Sequence, residues 1–280
     1  MKKRFSRVYL EITNICNRSC SFCPGTAREP RMISTEEFGR AVTALHPYTD
    51  YVYLHVMGEP LCHPELKALI RCATEAGLKC AITTNGTLLK KRGDELLSSG
   101  LYKANISLHS FENNDAEAHA RYLDECFQFA DDASRAGILT VLRLWNKGHD
   151  GGKNDGVLSR LRDRFPDGEW AESARGIRVR DKLHLEWGDR FEWPDREAEL
   201  GDEHVFCYGL CDHIGVLCDG TVIPCCLDRD GVLALGNIFS EPLGDIISSE
   251  RAVAIRRGFE HRTAAEEFCR RCGYARRFSR

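Results

Sequence analysis

Cys16-Asn17-Arg18-Ser19-Cys20-Ser21-Phe22-Cys23 stands directly behind the apolar run Val8-Tyr9-Leu10-Glu11-Ile12-Thr13, so a CxxxCxxC loop follows a segment that reads as a strand. Three thiolates on one short loop fall short of a structural zinc site, which takes four protein ligands as two CxxC pairs or a Cys pair with a His pair. A [4Fe-4S] cubane takes one thiolate at each iron, so three cysteines leave one iron open to a small molecule. The loop predicts a soft metal centre with a position free for chemistry.

Composition sets the outer limits. At 280 residues the chain can hold one large domain and a small one. Hydrophobic residues make up 42% and charged residues 29%, a balance that supports a sizeable core in water. The formal net charge of -3 gives no global pull toward nucleic acid or membrane. Met1-Lys2-Lys3-Arg4 is basic, but no apolar h-region follows and no apolar run reaches bilayer length, so a cytoplasmic protein is expected. Fourteen cysteines in that compartment point to metal binding or catalysis rather than disulfides.

The first half alternates strand-like and helix-like segments. Ser34-Thr35-Glu36-Glu37 has the S-x-x-E capping-box pattern, with Phe38, Val42 and Leu45 behind it at helical spacing. Tyr51 to Val56 reads as a strand. Pro64 fits the first turn of a helix in which Leu66, Leu69, Ile70 and Ala73 share a face, and Gly77 stops it. A strand over 78–83 leads to a helix over 89–99 closed by Gly100, and a strand over 104–108 to a helix over 115–136 closed by Gly137. A fifth strand covers 138–144. Repeated strand-helix units with short turns predict an α/β fold, a parallel sheet that right-handed crossovers curve into a partial (β/α)6 TIM-type barrel.

Chemistry in such a barrel gathers at the C-terminal strand ends. The second strand runs into Met57-Gly58-Glu59-Pro60 and the third into Thr83-Thr84-Asn85-Gly86-Thr87. The fourth ends in Ser107-Leu108-His109-Ser110-Phe111 and the fifth in Leu142-Arg143-Leu144-Trp145-Asn146. Gly-Glu-Pro and Asn-Gly are also ordinary turn sequences, and a lone histidine is more often a satisfied polar residue than an acid or base. By alternation Arg143 and Trp145 share a face, an anion partner beside an aromatic wall.

Cys16, Cys20 and Cys23, with Phe22 just before the last cysteine, resemble the signature of radical S-adenosylmethionine (radical SAM) enzymes. The resemblance implies a [4Fe-4S] cluster whose open iron chelates SAM, and reductive cleavage of SAM to a 5'-deoxyadenosyl radical that takes a hydrogen atom from the substrate. It also implies the partial barrel. Met57-Gly58-Glu59-Pro60 is similar to the family's GGEP segment with Met at its first position, so Gly58, Glu59 and Pro60 are expected against the SAM amino group. Phe22, Asn85 and Ser107 are expected near SAM, Arg143 at its carboxylate, and His109 near the substrate as the candidate catalytic residue. The family further implies a flavodoxin or ferredoxin as electron donor.

From 147 to 201 the pattern weakens. Residues 148–156 read as a polar loop, Leu158, Leu161 and Phe165 as a short helix, and Ile177–Val179 and Leu183–Trp187 as strands, one of them the sixth of the barrel. Trp145, Trp170, Trp187 and Trp193 cluster in this region, and one is a candidate to stack on a planar substrate. The last eighty residues carry a second cysteine set: Cys207 and Cys211, then Cys225 and Cys226 behind an Asp219-Gly220 hairpin signal, then a helix over 246–259 and Cys269-Arg270-Arg271-Cys272. Ligands before a helix and a CxxC after it can close either a zinc site or a four-thiolate cluster. The spacing resembles the twitch domain, the short form of SPASM, which implies a second, auxiliary [4Fe-4S] cluster on Cys207, Cys225, Cys269 and Cys272, with Cys211 and Cys226 as competitors. The expected domains are a barrel over 5–200 and a twitch module over 201–280. Cys62, Cys72, Cys80, Cys126 and Cys218 are read as small apolar residues.

A fully ligated auxiliary cluster moves electrons rather than binding substrate, which points to net oxidation or electron relay in a small-molecule, sugar-like or nucleoside-like reaction. The organisation is similar to the dehydrogenases of 2-deoxy-scyllo-inosamine, and queuine lyases, which release queuine from queuosine or its 5'-phosphate, are a second resemblance. Peptide modification is a third class, weighed down by the lack of an obvious leader-binding domain at the N-terminus. Outside enzymology, Arg262, Arg270, Arg271, Arg276, Arg277 and Arg280 suggest a metal-stabilised protein that binds nucleic-acid phosphates, although a solvated end balanced by Glu266 and Glu267 is the simpler reading. Neither nucleic acid nor membrane is expected as a partner.

Overall fold

β1 (Arg7–Leu10), β2 (Tyr51–Tyr53), β3 (Lys79–Thr84), β4 (Lys103–Ser107) and β5 (Leu139–Lys147) lie parallel in chain order in the computed structural model, which describes residues 3–111, 115–173 and 176–278. The crossovers carry α1 (Thr35–Leu45), α2 (Leu66–Glu75), α3 (Leu89–Leu97) and α4 (Ala116–Arg135). After α5 (Lys153–Arg164), β6 (Ala171–Ser173) and β7 (Gly176–Arg180), β8 (Leu183–Asp189) joins β5 in parallel as the sixth barrel strand. This is the α/β partial barrel expected from the alternation.

Local chemistry explains the crossovers. Ser34 Oγ accepts from the Glu37 amide at 3.2 Å and the Glu37 carboxylate accepts from the Ser34 amide at 2.9 Å, so the capping box forms and α1 buries Phe38, Ala41, Val42 and Leu45. Asp115 caps α4 by accepting from Ala118 at 2.8 Å, and Leu123, Phe127 and Ala130 turn inward. Each of the larger apolar side chains here, Phe, Val or Leu, stabilises by roughly 1.5–3 kcal/mol when fully buried. Val8 and Leu10 of β1 are buried while Arg7 and Tyr9 alternate to the other, half-open face, which lines the barrel lumen.

The C-terminal region does not form a separate sheet. β9 (His213–Val216) pairs in parallel with β1, Arg7 opposite His213, and leads through Asp219-Gly220 into antiparallel β10 (Thr221–Ile223) and then β11 (Gly236–Asn237). With β7 and β6 antiparallel at the opposite edge, one sheet of 11 strands results. α6 (Leu243–Ile246), α7 (Glu250–Glu260), α8 (Glu267–Arg270) and a 3-10 turn over Ala275–Phe278 follow.

Several boundaries differ from expectation. β1 ends at Leu10 and β2 at Tyr53, shorter than the apolar runs, because the chain bends away to build the loops above the sheet. Pro64 precedes α2, which starts at Leu66, and a 3-10 turn over Pro60–Cys62 stands ahead of it. The polar stretch expected as a loop over 148–156 becomes helical from Lys153, entered through Gly152 at φ 80°. The single helix expected over 246–259 is two, broken at 247–249, where Ser249 caps α7. Met1, Lys2 and Arg280 lie outside the described residues.

Candidate active site

The cysteine loop leaves β1 over the C-terminal ends of the barrel strands. Cys16 and Cys23 are exposed and Cys20 is half-buried, all as free thiols. The loop is tied down from the neighbouring strand ends: Asn85 Nδ2 donates to Asn17 Oδ1 at 2.9 Å and reaches Cys16 Sγ at 3.9 Å, while Cys20 Sγ lies 3.7 Å from Ser110 O. Burial raises the Cys16 and Cys20 thiols; the Glu59 and Cys23 charges push Cys16 further up, and the Cys23 and Cys16 charges push Cys20. Such thiols lose their protons on meeting a soft metal, and three cysteines on one short loop suit an iron-sulfur cluster by the chemistry of the donor set. Among the described residues no three His, Cys, Asp or Glu side chains close on a single metal ion.

Gly58-Glu59-Pro60 lies flat against the start of this loop. The Glu59 amide donates to Ile15 O at 2.9 Å. Its carboxylate, whose pKa burial raises, accepts from the amides of Leu61 at 3.0 Å and Asn85 at 2.6 Å, so the second and third strand ends are fastened together. Asn85 Oδ1 in turn accepts from the Thr87 amide at 3.0 Å and the Thr87 hydroxyl at 2.7 Å. Tyr122 OH donates to Asn85 O at 2.8 Å and to Ser107 O at 3.2 Å. Phe22, Gly58, Glu59, Pro60, Asn85 and Ser107 are thus drawn to one side of the barrel mouth.

Phe22 packs on the His109 ring, centroids 4.8 Å apart. Burial lowers His109 to about 4, so the ring is neutral. Its Nδ1 lies 3.2 Å from Arg143 O and 3.3 Å from the Trp145 amide, and the tautomer decides which it serves. That nitrogen fastens β5 to the end of β4, and Nε2 alone is left for a substrate. Arg143 lies over the Trp145 ring at 4.7 Å, as alternation predicts. Its Nη1 is 3.5 Å from Thr83 Oγ1 and its Nε 3.6 Å from Glu186 Oε2. This loosely paired cation faces the lumen. Arg143→Met is expected to weaken SAM binding by about tenfold or more with iron content unchanged, the scale of one charged hydrogen bond. Normal SAM binding in the variant would dismiss the carboxylate role.

The sequence reading missed the lumen's own lining. Tyr9 meets His55 and His213 edge-on at 5.5 Å each and Tyr53 at 5.4 Å, and Arg7 pairs with Asp212 at 2.8 Å. Burial, and then the Arg143 charge, lower His55 to about 3. Among the described residues, buried Arg7 Nε, His55 Nδ1, Asn105 Oδ1 and Arg143 Nε lack a hydrogen-bond partner, an arrangement suited to a polar guest. The alternation Arg7-Val8-Tyr9-Leu10 was the available signal.

The second cysteine set also gathers. Burial first, then the charges of Cys207, Cys226, Cys272 and Cys269, hold the Cys225 thiol well above its ordinary value. Cys269 is shifted the same way by burial, Cys207 and Cys272. Cys211 instead faces Glu260 and Arg256 as well as Cys207, and Cys226 meets Tyr9 at the lumen. Cys207, Cys225, Cys226, Cys269 and Cys272 thus lie in one neighbourhood, with Cys211 at its edge through Cys207. Trp193 packs beside Cys226, Val56 and Met57. Trp170 is engaged elsewhere, its Nε1 donating to Phe165 O at 3.1 Å. The C-terminal arginines serve the chain: Arg270 donates to Gly201 O at 3.2 Å, Arg271 to Ala198 O, Arg277 to Asp189 O, and Arg251 pairs with Glu266 at 2.7 Å.

Residues 10–150 match the Radical SAM superfamily, and the chain belongs to it. Residues 207–273 match SPASM, an iron-sulfur cluster-binding domain, which makes the protein a radical SAM enzyme with a C-terminal SPASM region. GTP 3',8-cyclase of Thermodesulfovibrio yellowstonii is 32% identical over 155 residues, covering 50% of this chain and 48% of that protein. The chain spans well under two thirds of the curated relatives it matches. Among solved structures, BtrN in complex with AdoMet and 2-DOIA superposes with TM-score 0.63 at 18% identity, covering 97% of this chain and 94% of that one. Streptococcus suis SuiB bound to the precursor peptide SuiA gives 0.58 at 15%, covering 96% and 70%. These likenesses concern the fold. The family match overturns the alternative of a binding protein without enzymatic activity. No helix among the described residues is long and apolar enough to cross a membrane.

Proposed function

We propose that the enzyme abstracts a hydrogen atom from a polar, sugar-like or nucleoside-like small molecule and passes the product electron to an auxiliary cluster. In this reading Cys16, Cys20 and Cys23 hold the SAM-binding cluster, and Cys207, Cys225, Cys269 and Cys272 the auxiliary one. SAM, when bound and reduced, supplies the 5'-deoxyadenosyl radical. The chain's own part is to seat the substrate in the lumen, with Tyr9, Tyr53 and Trp145 offering flat faces and Glu186 and His55 offering hydrogen bonds, while Arg143 is kept for the SAM carboxylate. The observation that carries the reading is this polar, aromatic lumen, closed at its mouth by the cysteine loop and flanked by the second thiol set through Cys226. Near-complete mutual coverage with BtrN, solved with AdoMet and 2-DOIA, supports a small-molecule substrate, with release of queuine from queuosine kept as the alternative. Superposition on peptide-bound SuiB supports peptide modification as the second reading. A flavodoxin or ferredoxin would supply electrons.

The test is anaerobic turnover with deuterated candidates: aminocyclitols, queuosine and its 5'-phosphate, and short peptides. Deuterium in 5'-deoxyadenosine from a cyclitol or nucleoside supports the proposal. Deuterium from peptides alone would replace it with the second reading.

A further inference from the structure

Glu11, just beyond β1 and ahead of the cysteine loop, is fully buried at 0% exposure. Four donors converge on its carboxylate. Arg28 makes a forked contact, Nη2 to Oε1 at 2.7 Å and Nη1 to Oε2 at 2.8 Å. The Met57 amide donates to Oε1 at 3.0 Å and the Cys218 amide to Oε2 at 3.2 Å. These groups come from three distant places: the exit of the cysteine loop, the turn that carries Gly58-Glu59-Pro60, and the β9–β10 hairpin. Arg28 is anchored in its turn, its Nε donating to Arg229 O at 2.8 Å, while Thr26 Oγ1 donates to Asp230 Oδ1 at 2.6 Å and the Ala27 amide to the same oxygen at 3.0 Å.

A buried ion pair is seldom the most stable choice, because desolvation offsets its attraction and a well-packed apolar residue often does as well. An apolar residue at position 11 could not orient the Met57 amide. The forked, fully hydrogen-bonded geometry is what fixes direction as well as distance. We propose that Glu11 is a positioning residue for SAM: by gathering the Met57 amide and the Arg28 guanidinium it sets the Met57-Gly58-Glu59-Pro60 turn in the attitude that receives SAM. Arg28 ties that attitude to the C-terminal region through Arg229 and Cys218. The inference rests on the reading that this turn meets SAM.

The full chain is reconstituted, reduced with dithionite and titrated with SAM, following the cluster's low-temperature EPR signal and the substrate-free release of 5'-deoxyadenosine. Glu11→Gln is expected to raise half-saturating SAM by about tenfold, the scale of one lost charge-assisted contact. Iron per chain and release at saturating SAM stay near wild type. Arg28→Lys keeps the charge, loses the fork and is expected to give about a threefold rise. It carries the same test if Glu11→Gln does not load its clusters. Phe127→Leu, a buried change in α4, lowers Tm without moving SAM half-saturation; an equal rise there would overturn the proposal as mere destabilisation. Unchanged SAM binding in Glu11→Gln and Arg28→Lys, with binding lost in Gly58→Ala, overturns the proposal alone. Unchanged binding in all three removes the SAM-turn reading as well.

Discussion

Replacing Cys16, Cys20 and Cys23 together by alanine is expected to lower reconstituted iron from about eight atoms per chain to about four and to abolish 5'-deoxyadenosine formation. The effect is large because the substitution removes all three thiols that the loop offers to iron, so no partial site survives. Cys16 and Cys23 are exposed, and the side chains removed are small, so the fold is expected to hold within about 1 kcal/mol when metal-free proteins are compared. Cys225→Ala is the mirror experiment: iron falls while abortive SAM cleavage continues. Zinc in place of iron, or deoxyadenosine from the triple variant, would overturn the assignment of the loop.

The barrel was legible because its signals are local. The CxxxCxxC spacing, the Ser34–Glu37 capping box and the glycines that stop α2, α3 and α4 each act within a few residues, and the structure shows each in place. The pairing of β1 with β9 was not legible, since Arg7 and His213 are joined by topology alone. Glu11 was read as part of an apolar run, and its partners at positions 28, 57 and 218 carry no spacing that a single sequence displays. His55 was hidden likewise in a strand-like run that leaves the sheet three residues earlier than its hydropathy suggests. Cys225 and Cys226 show the limit most plainly. The two follow β10 in a turn, where no periodicity tells which way a side chain points, and only the fold shows that Cys225 faces Cys207, Cys226, Cys269 and Cys272 while Cys226 also reaches Tyr9.

Gly58→Ala is expected to abolish saturable SAM binding, a loss of about a hundredfold or more, from the addition of one methyl group. Gly58 has φ +74°, where an L-residue costs roughly 1–2 kcal/mol. Strain alone would not suffice, but a Cβ here would stand 2.3 Å from Thr13 O and 2.9 Å from both Asn14 C and Ile15 O. All three are backbone atoms, so no side chain can rotate aside. They belong to the segment that delivers Cys16, and the Glu59 amide bonds the same Ile15 O at 2.9 Å. Relief therefore requires the turn to lift away from the loop or the loop to move, and either displaces the proposed SAM turn relative to the cluster thiols. Gly137 provides the comparison, with φ +85° and nothing within 4 Å of its added Cβ. Gly137→Ala should show the conformational cost alone, a Tm lowered by a few degrees with SAM binding intact. Equal SAM affinity in the two variants would mean that the close approach of Gly58 to the loop has no part in holding SAM, whereas loss in Gly58→Ala alone isolates that approach from the strain both glycines share.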